Sequence, residues 1–213
     1  MKKGRLLILG ASGHGKVAGD CARAADLWSE LVFFDDRWPT LQDCGPWRVM
    51  GTVEALLNQA QPGDQAFVAI GQAETRLNLL QQIASAGIEI ATVIHPSAVV
   101  SIGASMGTGC LVVAGAVVNI QTLVGLGCII NTGATVDHDC ILGDGVHVCP
   151  GAHLAGDVKI GRGTWVGVGS TVCQGLTIGR GAMIGAGAVV VEDVADRQTV
   201  AGVPARPLDI KNP

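Results

Sequence analysis

From Val100 to Val190 every sixth residue is aliphatic or Met, sixteen positions without a gap. Neither a helix, with period 3.6, nor an ordinary strand, with period two, produces that spacing, so this half of the chain is a repeat architecture. Two places before each of these residues, from Ala104 to Ala188, twelve of fifteen positions hold Ala, Cys, Ser or Thr. A large and a small side chain therefore alternate inward, as in short strands joined by tight corners: a parallel β-solenoid. Glycines follow the repeat aliphatic at Gly107, Gly125, Gly143, Gly161, Gly167, Gly179 and Gly185, where close backbone approach or a positive φ excludes a β-carbon. One coil cannot bury its apolar side alone, but stacked coils can. At roughly 1.5–3 kcal/mol per buried aliphatic, the repeat supplies tens of kcal/mol and dominates the fold.

The composition changes near residue 95, which divides the 213 residues into two domains, 1–95 and 96–213. A net charge of −4 with no basic stripe offers nothing for nucleic acid or an anionic membrane surface. The apolar run Leu6–Leu9 after Met1-Lys2-Lys3 stops at a glycine-rich segment, too early for a leader peptide, and reads as a first strand. No stretch reaches the ~18 apolar residues of a membrane helix. Of seven cysteines, Cys110, Cys128 and Cys140 fall in the small-residue column and read as core filler; with no C-x-x-C pair, a reduced, cytoplasmic setting is expected. Partners are expected to be small molecules and further copies of the chain.

Residues 1–95 alternate strand and helix. Strands are expected at Arg5–Gly10, Leu31–Asp36, Gln65–Gly71 and Glu89–Ile94, and helices at Lys16–Trp28, Thr52–Asn58 and Thr75–Gly87. That is a small doubly wound, Rossmann-like parallel sheet. The segment Gly10-Ala-Ser-Gly-His-Gly15 places backbone N–H groups ahead of the first helix, where a phosphate could bind. Its G-x-x-G-x-G spacing differs from the dinucleotide fingerprint, which argues against NAD. Asp35 and Asp36 close the second strand, where a carboxylate can bond a ribose or polyol hydroxyl, and Gly71 closes the third on the same rim.

The repeat carries no insertion, so any site must use the solenoid wall. His138, His147 and His153 are its only histidines. Asp137 and Asp139 flank His138; a neighbouring carboxylate favours the imidazolium and raises the basicity of the ring, which suits a general base, although a polar triplet can equally be a solvated corner. His147 and His153 occupy the same place in the six-residue repeat and could line one surface column. Three histidines can also hold zinc, but their spacing fits no ligand pattern and no metal is expected.

Gly10-Ala-Ser-Gly-His-Gly15, Phe34-Asp35-Asp36, Ala69-Ile70-Gly71, Ile94-His95-Pro96-Ser97-Ala98, Asn131-Thr132, Asp137-His138-Asp139 and Gly202-Val203-Pro204-Ala205-Arg206 occur in this order along the chain. Together they resemble the bacterial acetyl-CoA-dependent sugar acetyltransferases that include UDP-4-amino-sugar N-acetyltransferases and sialic-acid O-acetyltransferases. The resemblance implies a left-handed β-helix of about 18 residues per coil and roughly five coils, and a homotrimer with acetyl-CoA lying between neighbouring solenoids. It implies His138 as general base and Asp139 as the acid that polarises it. His147, Gly156, Val168 and Ala186 match the acetyl-CoA groove. Ser12, Gly13, His14, Asp35, Asp36, Gly71 and Asn131 match the nucleotide-sugar side. The expected reaction is direct acetylation of the 4-amino group of a UDP-4-amino-4,6-dideoxy sugar, with sialic-acid O-acetylation and a non-catalytic, nucleotide-sensing trimer as the alternatives.

Overall fold

The computed structural model describes residues 2–208. It divides into two compact units between Pro96 and Ser97.

The first unit runs β1 (Leu6–Leu9), α1 (Gly13–Ala25), β2 (Leu31–Phe34), β3 (Asp43–Cys44), β4 (Trp47–Arg48), α2 (Val53–Gln59), β5 (Gln65–Val68), α3 (Ala73–Ser85) and β6 (Glu89–Ile90). Its parallel sheet has the order β2-β1-β5-β6, with Leu6 opposite Leu31 and Gln65, and Gln65 opposite Glu89. Every residue of β1 and β5 is buried, as expected of parallel strands covered on both faces. The chain leaves β1 toward β2 and then crosses back to β5 on the other side. The carboxyl ends of β1, β2 and β5 thus surround the point where strand order reverses, the place where open sheets of this kind bind ligands.

Three details depart from the expected elements. Helix α1 begins at Gly13 rather than Lys16, so the second half of the glycine segment is its first turn; a β-carbon on Gly15 would lie 2.2 Å from the Gly10 carbonyl oxygen, which lets the turn close only with glycine. The strand expected over Glu89–Ile94 is broken into β6 and a separate Val93–Ile94. The β3–β4 hairpin has too few residues for a periodicity to show; its Trp47 stacks on Phe33 with ring centroids 5.1 Å apart.

The second unit is a left-handed parallel β-helix of three faces. Strands pair with the strand 18 residues on: Val117 lies opposite Thr135 on the first face, Leu123 opposite Ile141 on the second and Ile129 opposite His147 on the third. Five such steps carry Val100 to Val190, as the expected coil count over this run requires, and stack six rungs on the first face. The repeat aliphatics from Val112 to Val190 are all buried, together with the small residues two places before them. Residues 199–201 extend the third face and are themselves paired antiparallel with Arg206–Pro207, which caps an edge that would otherwise offer free backbone groups.

The corners divide their glycines between two tasks. Those one residue after the aliphatic serve close approach alone: a β-carbon on Gly143 would sit 2.7 Å from the amide nitrogen of Arg162 in the next coil. Left-handed backbone falls two residues later, as at Gly145 with φ 69°.

The small-residue column is more than filler. Cys110, Cys128 and Cys140 each direct Sγ–H to a carbonyl fifteen residues on, at Gly125, Gly143 and Ala155, over 3.1–3.2 Å. Thr122 and Thr164 bond Asp137 and Gly179 in the same way through Oγ1, at 2.8 and 2.6 Å. These donors satisfy corner carbonyls that face the interior.

Candidate functional site

His138 stands at the corner between the first and second faces. Its Nδ1 lies 2.7 Å from Oδ2 of Asp139. Bonding to an ionised carboxylate requires the proton on Nδ1, which makes Nε2 the acceptor of the neutral ring. The Asp139 hydrogen bond first, then the charges of Asp137, Asp139 and Asp157, raise the His138 pKa above its ordinary 6.5. The two acidic flanks differ in task. Asp137 turns to the backbone, its Oδ1 accepting from the His138 amide at 2.8 Å and from Asn119 Nδ2 at 3.0 Å, and only Asp139 holds the ring.

Local backbone explains how a residue adjacent in sequence reaches the ring. Asp139 has φ 61°, a conformation that costs most residues roughly 1–2 kcal/mol and that Asp tolerates better than most. Of the fifteen positions three residues after a repeat aliphatic, from Gly103 to Gly187, only Gln121, Asp139 and Asp157 are not glycine. All three fall in the His138 corner column, 18 residues apart, and all have positive φ. This signal is present in the sequence, but it emerges only when the repeat is folded at 18 rather than six.

Gly156 lies one coil below, under His138. A β-carbon there would stand 2.6 Å from Cε1 and Nε2 of the imidazole, so the glycine provides the space the ring occupies. The resemblance assigns Gly156 to the acetyl-CoA groove; in the fold it is part of the His138 corner. Asp157 N–H donates to the His138 carbonyl over 2.9 Å and ties the two coils together.

His147 and His153 do not form a column. Only residues 18 apart stack; six residues apart, these two lie on the third and first faces. His147 is buried, with Nε2 3.0 Å from Asn131 Nδ2 and an edge contact to Trp165 at 4.3 Å between centroids. His153 is exposed beside Thr135 Oγ1, at 2.9 Å. Among the described residues no group of three or more His, Cys, Asp or Glu is placed to hold a metal ion. Val168 and Ala186, 18 residues apart and both exposed, stack at the corner between the third and first faces, bound through Gly187 N–H to the Val168 carbonyl at 2.8 Å. Within one chain the structure brings Asp139 and Gly156 to His138, and Asn131 to His147. It places Val168 and Ala186 on a different corner from His138. Burial pushes the Cys149 thiol up to about 12, which removes it as a nucleophile near neutral pH.

The first unit contributes a cleft of about 340 Å³, lined by Leu9, Gly10, Ser12, Asp35, Asp36, Arg37, Ile70, Gly71 and Leu79. Ser12, Asp35, Asp36 and Gly71 are thus brought together at the strand ends, whereas Gly13 and His14 sit in the first turn of α1 and are not part of the lining. Burial, and secondarily the charge of Arg76, lower His14 to about 4, so at neutral pH it is an uncharged imidazole. The Arg37 guanidinium holds the buried Asp35 carboxyl at about 2 despite the cost of burial. Asp36 accepts from the Val53 amide at the start of α2, 2.9 Å away. Two residues escaped the sequence reading. Arg37 directly follows the acidic pair. Arg76, fully buried, donates from Nη1 to the carbonyls of Ile70 and Gly71, both at 2.7 Å, and fixes the third rim segment. The signal for Arg76 was a charged residue within the apolar stripe of α3, beside Leu77, Leu80 and Ile83.

Family models match both units: the PglD N-terminal domain over residues 5–83 and the bacterial transferase hexapeptide (six repeats) over residues 157–191. Among solved structures, the acetyltransferase domain of PglB from Neisseria gonorrhoeae FA1090, in complex with acetyl coenzyme A, is 42% identical, covers 98% of this chain and 100% of that one, and gives a TM-score of 0.93. PerB from Caulobacter crescentus, in complex with CoA and GDP-perosamine, is 38% identical over 95% of this chain and 96% of its own, with a TM-score of 0.90. The UDP-N-acetylbacillosamine N-acetyltransferase of Bacillus subtilis (strain 168) is 35% identical over 109 residues; that match spans half of this chain and half of the curated relative. On the near-complete coverage by the Neisseria and Caulobacter structures, the chain belongs to the hexapeptide-repeat sugar acetyltransferases.

Proposed function

We propose that this protein transfers the acetyl group of acetyl-CoA to the 4-amino group of a UDP-linked 4-amino-4,6-dideoxy sugar, with His138 as general base. The observation that carries this reading is the 2.7 Å contact between His138 Nδ1 and Asp139 in an exposed corner, with Nε2 as the acceptor above the bare Cα of Gly156. As the amine nitrogen attacks the thioester carbon, Nε2 takes its proton; the C–S bond then breaks and the imidazolium returns the proton to the departing CoA sulfur. No enzyme-bound acyl intermediate is needed, in keeping with the raised Cys149 thiol.

His147, Val168 and Ala186 serve acetyl-CoA in this reading, Asn131 lies toward the sugar, and Ser12, Gly13, His14, Asp35, Asp36 and Gly71 serve the nucleotide. His138 and the Val168 column occupy opposite edges of the first face, so a second copy of the chain must bring one corner to the other. Exposed Ile102 and Ile120 in the His138 column supply apolar area for such a contact. In this reading the chain assembles as the homotrimer that the family resemblance implies, with its sites at the seams. Seven free cysteines favour a reducing cytoplasm; among the described residues no helix is long and apolar enough to cross a membrane.

The relatives support N- over O-transfer, since the curated relative is named an N-acetyltransferase and PerB is bound to an amino-sugar nucleotide. Thiol release from acetyl-CoA, measured with UDP- and GDP-linked 4-amino-dideoxy sugars and with free sialic acid, tests the assignment. Turnover is expected with the UDP-amino sugar. Turnover with sialic acid alone would overturn it, and preference for the GDP sugar would correct the nucleotide.

A further inference from the structure

We propose that Arg37 recognises the diphosphate of the nucleotide sugar, with Asp35 as the residue that positions it. The proposal rests on the reading of the strand-end cleft as the nucleotide site. Of the three charged side chains lining that cleft, Asp35 and Asp36 are acidic and Arg37 is its one cation. A nucleoside diphosphate sugar brings two further negative charges, which two uncompensated carboxylates would repel.

The geometry removes that conflict. Arg37 directs Nε–H to Asp35 Oδ1 and an Nη2–H to Oδ2, both at 2.8 Å. A guanidinium has five N–H donors, so three remain for a ligand. The ion pair is anchored at one side and open at the other: the Asp35 side chain is 10% exposed and that of Arg37 58%. The same Asp35 Oδ2 accepts from the Ala11 amide at 2.8 Å, which keys the guanidinium to the glycine loop after β1. A planar fork held in place before the ligand arrives suits phosphate oxygens and loses little freedom on binding. Both Asp35 oxygens are engaged on the protein side, so Asp35 acts through Arg37 rather than on a ribose hydroxyl.

Calorimetric titration of UDP and UMP into the wild type, Arg37→Gln and Arg37→Lys separates this role from a merely structural one. GDP and GMP serve as the purine pair, and acetyl-CoA as the control for the solenoid. Arg37→Gln should weaken the diphosphate by about 10- to 100-fold, the usual worth of a charged hydrogen-bond pair. It should weaken the monophosphate less, so that the preference for the diphosphate shrinks; Arg37→Lys should recover part of it, and acetyl-CoA should bind as before. Unchanged UDP affinity in Arg37→Gln, or an equal loss for UDP and UMP, would overturn the proposal. A wild type that binds acetyl-CoA but neither diphosphate would overturn the nucleotide reading of the cleft itself, and the role of Arg37 with it.

Discussion

His138 gains its chemistry from two neighbours at different distances along the chain. Asp139 supplies charge from the next residue and Gly156 supplies room from 18 residues on. Under the proposed function the neutral His138 ring accepts the proton; because its raised pKa favours the imidazolium, that free base is lost as pH falls through that value. The acidic limb of the kcat/KM profile is therefore expected above the ordinary imidazole value of 6.5. Asp139→Asn removes the largest cause of the shift and should move that limb to lower pH on the same substrate; a limb that stays in place would contradict the pairing. Gly156→Ala meets no left-handed backbone, only the imidazole. It should lower turnover by about 10²-fold or more by displacing the base, with a thermal midpoint near that of the wild type. The acidic-His-acidic triplet showed in sequence because its members are adjacent. The role of Gly156, and the difference between Asp137 and Asp139, did not, because both depend on which way the corner turns.

Each coil is held by side chains that look interchangeable in a hydropathy pattern. The six-residue rhythm revealed the solenoid because every rung repeats the same inward pair. It could not say which residues stack, since a period of six is shared by all three faces, and His147 and His153 accordingly separate onto different walls. Nor could it tell a packing cysteine from a donating one. Cys128, fully buried, bonds the Gly143 carbonyl at 3.1 Å, and Thr122 and Thr164 make the same bond at equivalent places. Cys128→Thr should thus be more stable than the similarly shaped Cys128→Val by about 1 kcal/mol, the net worth of one hydrogen bond. Equal denaturation midpoints for the two variants would show that the column is filler after all. In the first unit the alternation of strand and helix was legible, although the first three strands stop one to three residues short of their expected ends and the fourth is broken, whereas the β3–β4 hairpin was missed because two-residue strands carry no period.

The molecule divides its tasks between two units of different architecture. The doubly wound unit forms its cleft where strand order reverses, and the unbroken solenoid, with no excursion loop, has only its faces and corners on which to mount chemistry. Under the proposed function, changes at the strand-end cleft act on the KM for the nucleotide sugar, and changes at the His138 corner act on kcat. The division between units could be read from composition, because apolar periodicity changes abruptly near residue 95. Assembly could not, since the residues that would meet across a seam lie on corners of one chain that face apart. The most direct test of the account is the turnover of His138→Ala with acetyl-CoA and a UDP-4-amino-4,6-dideoxy sugar, measured alongside the binding of both substrates. The expected result is a fall of roughly 10²–10⁴ in kcat, the usual contribution of a general base, with binding retained. Near wild-type turnover in that variant would contradict it.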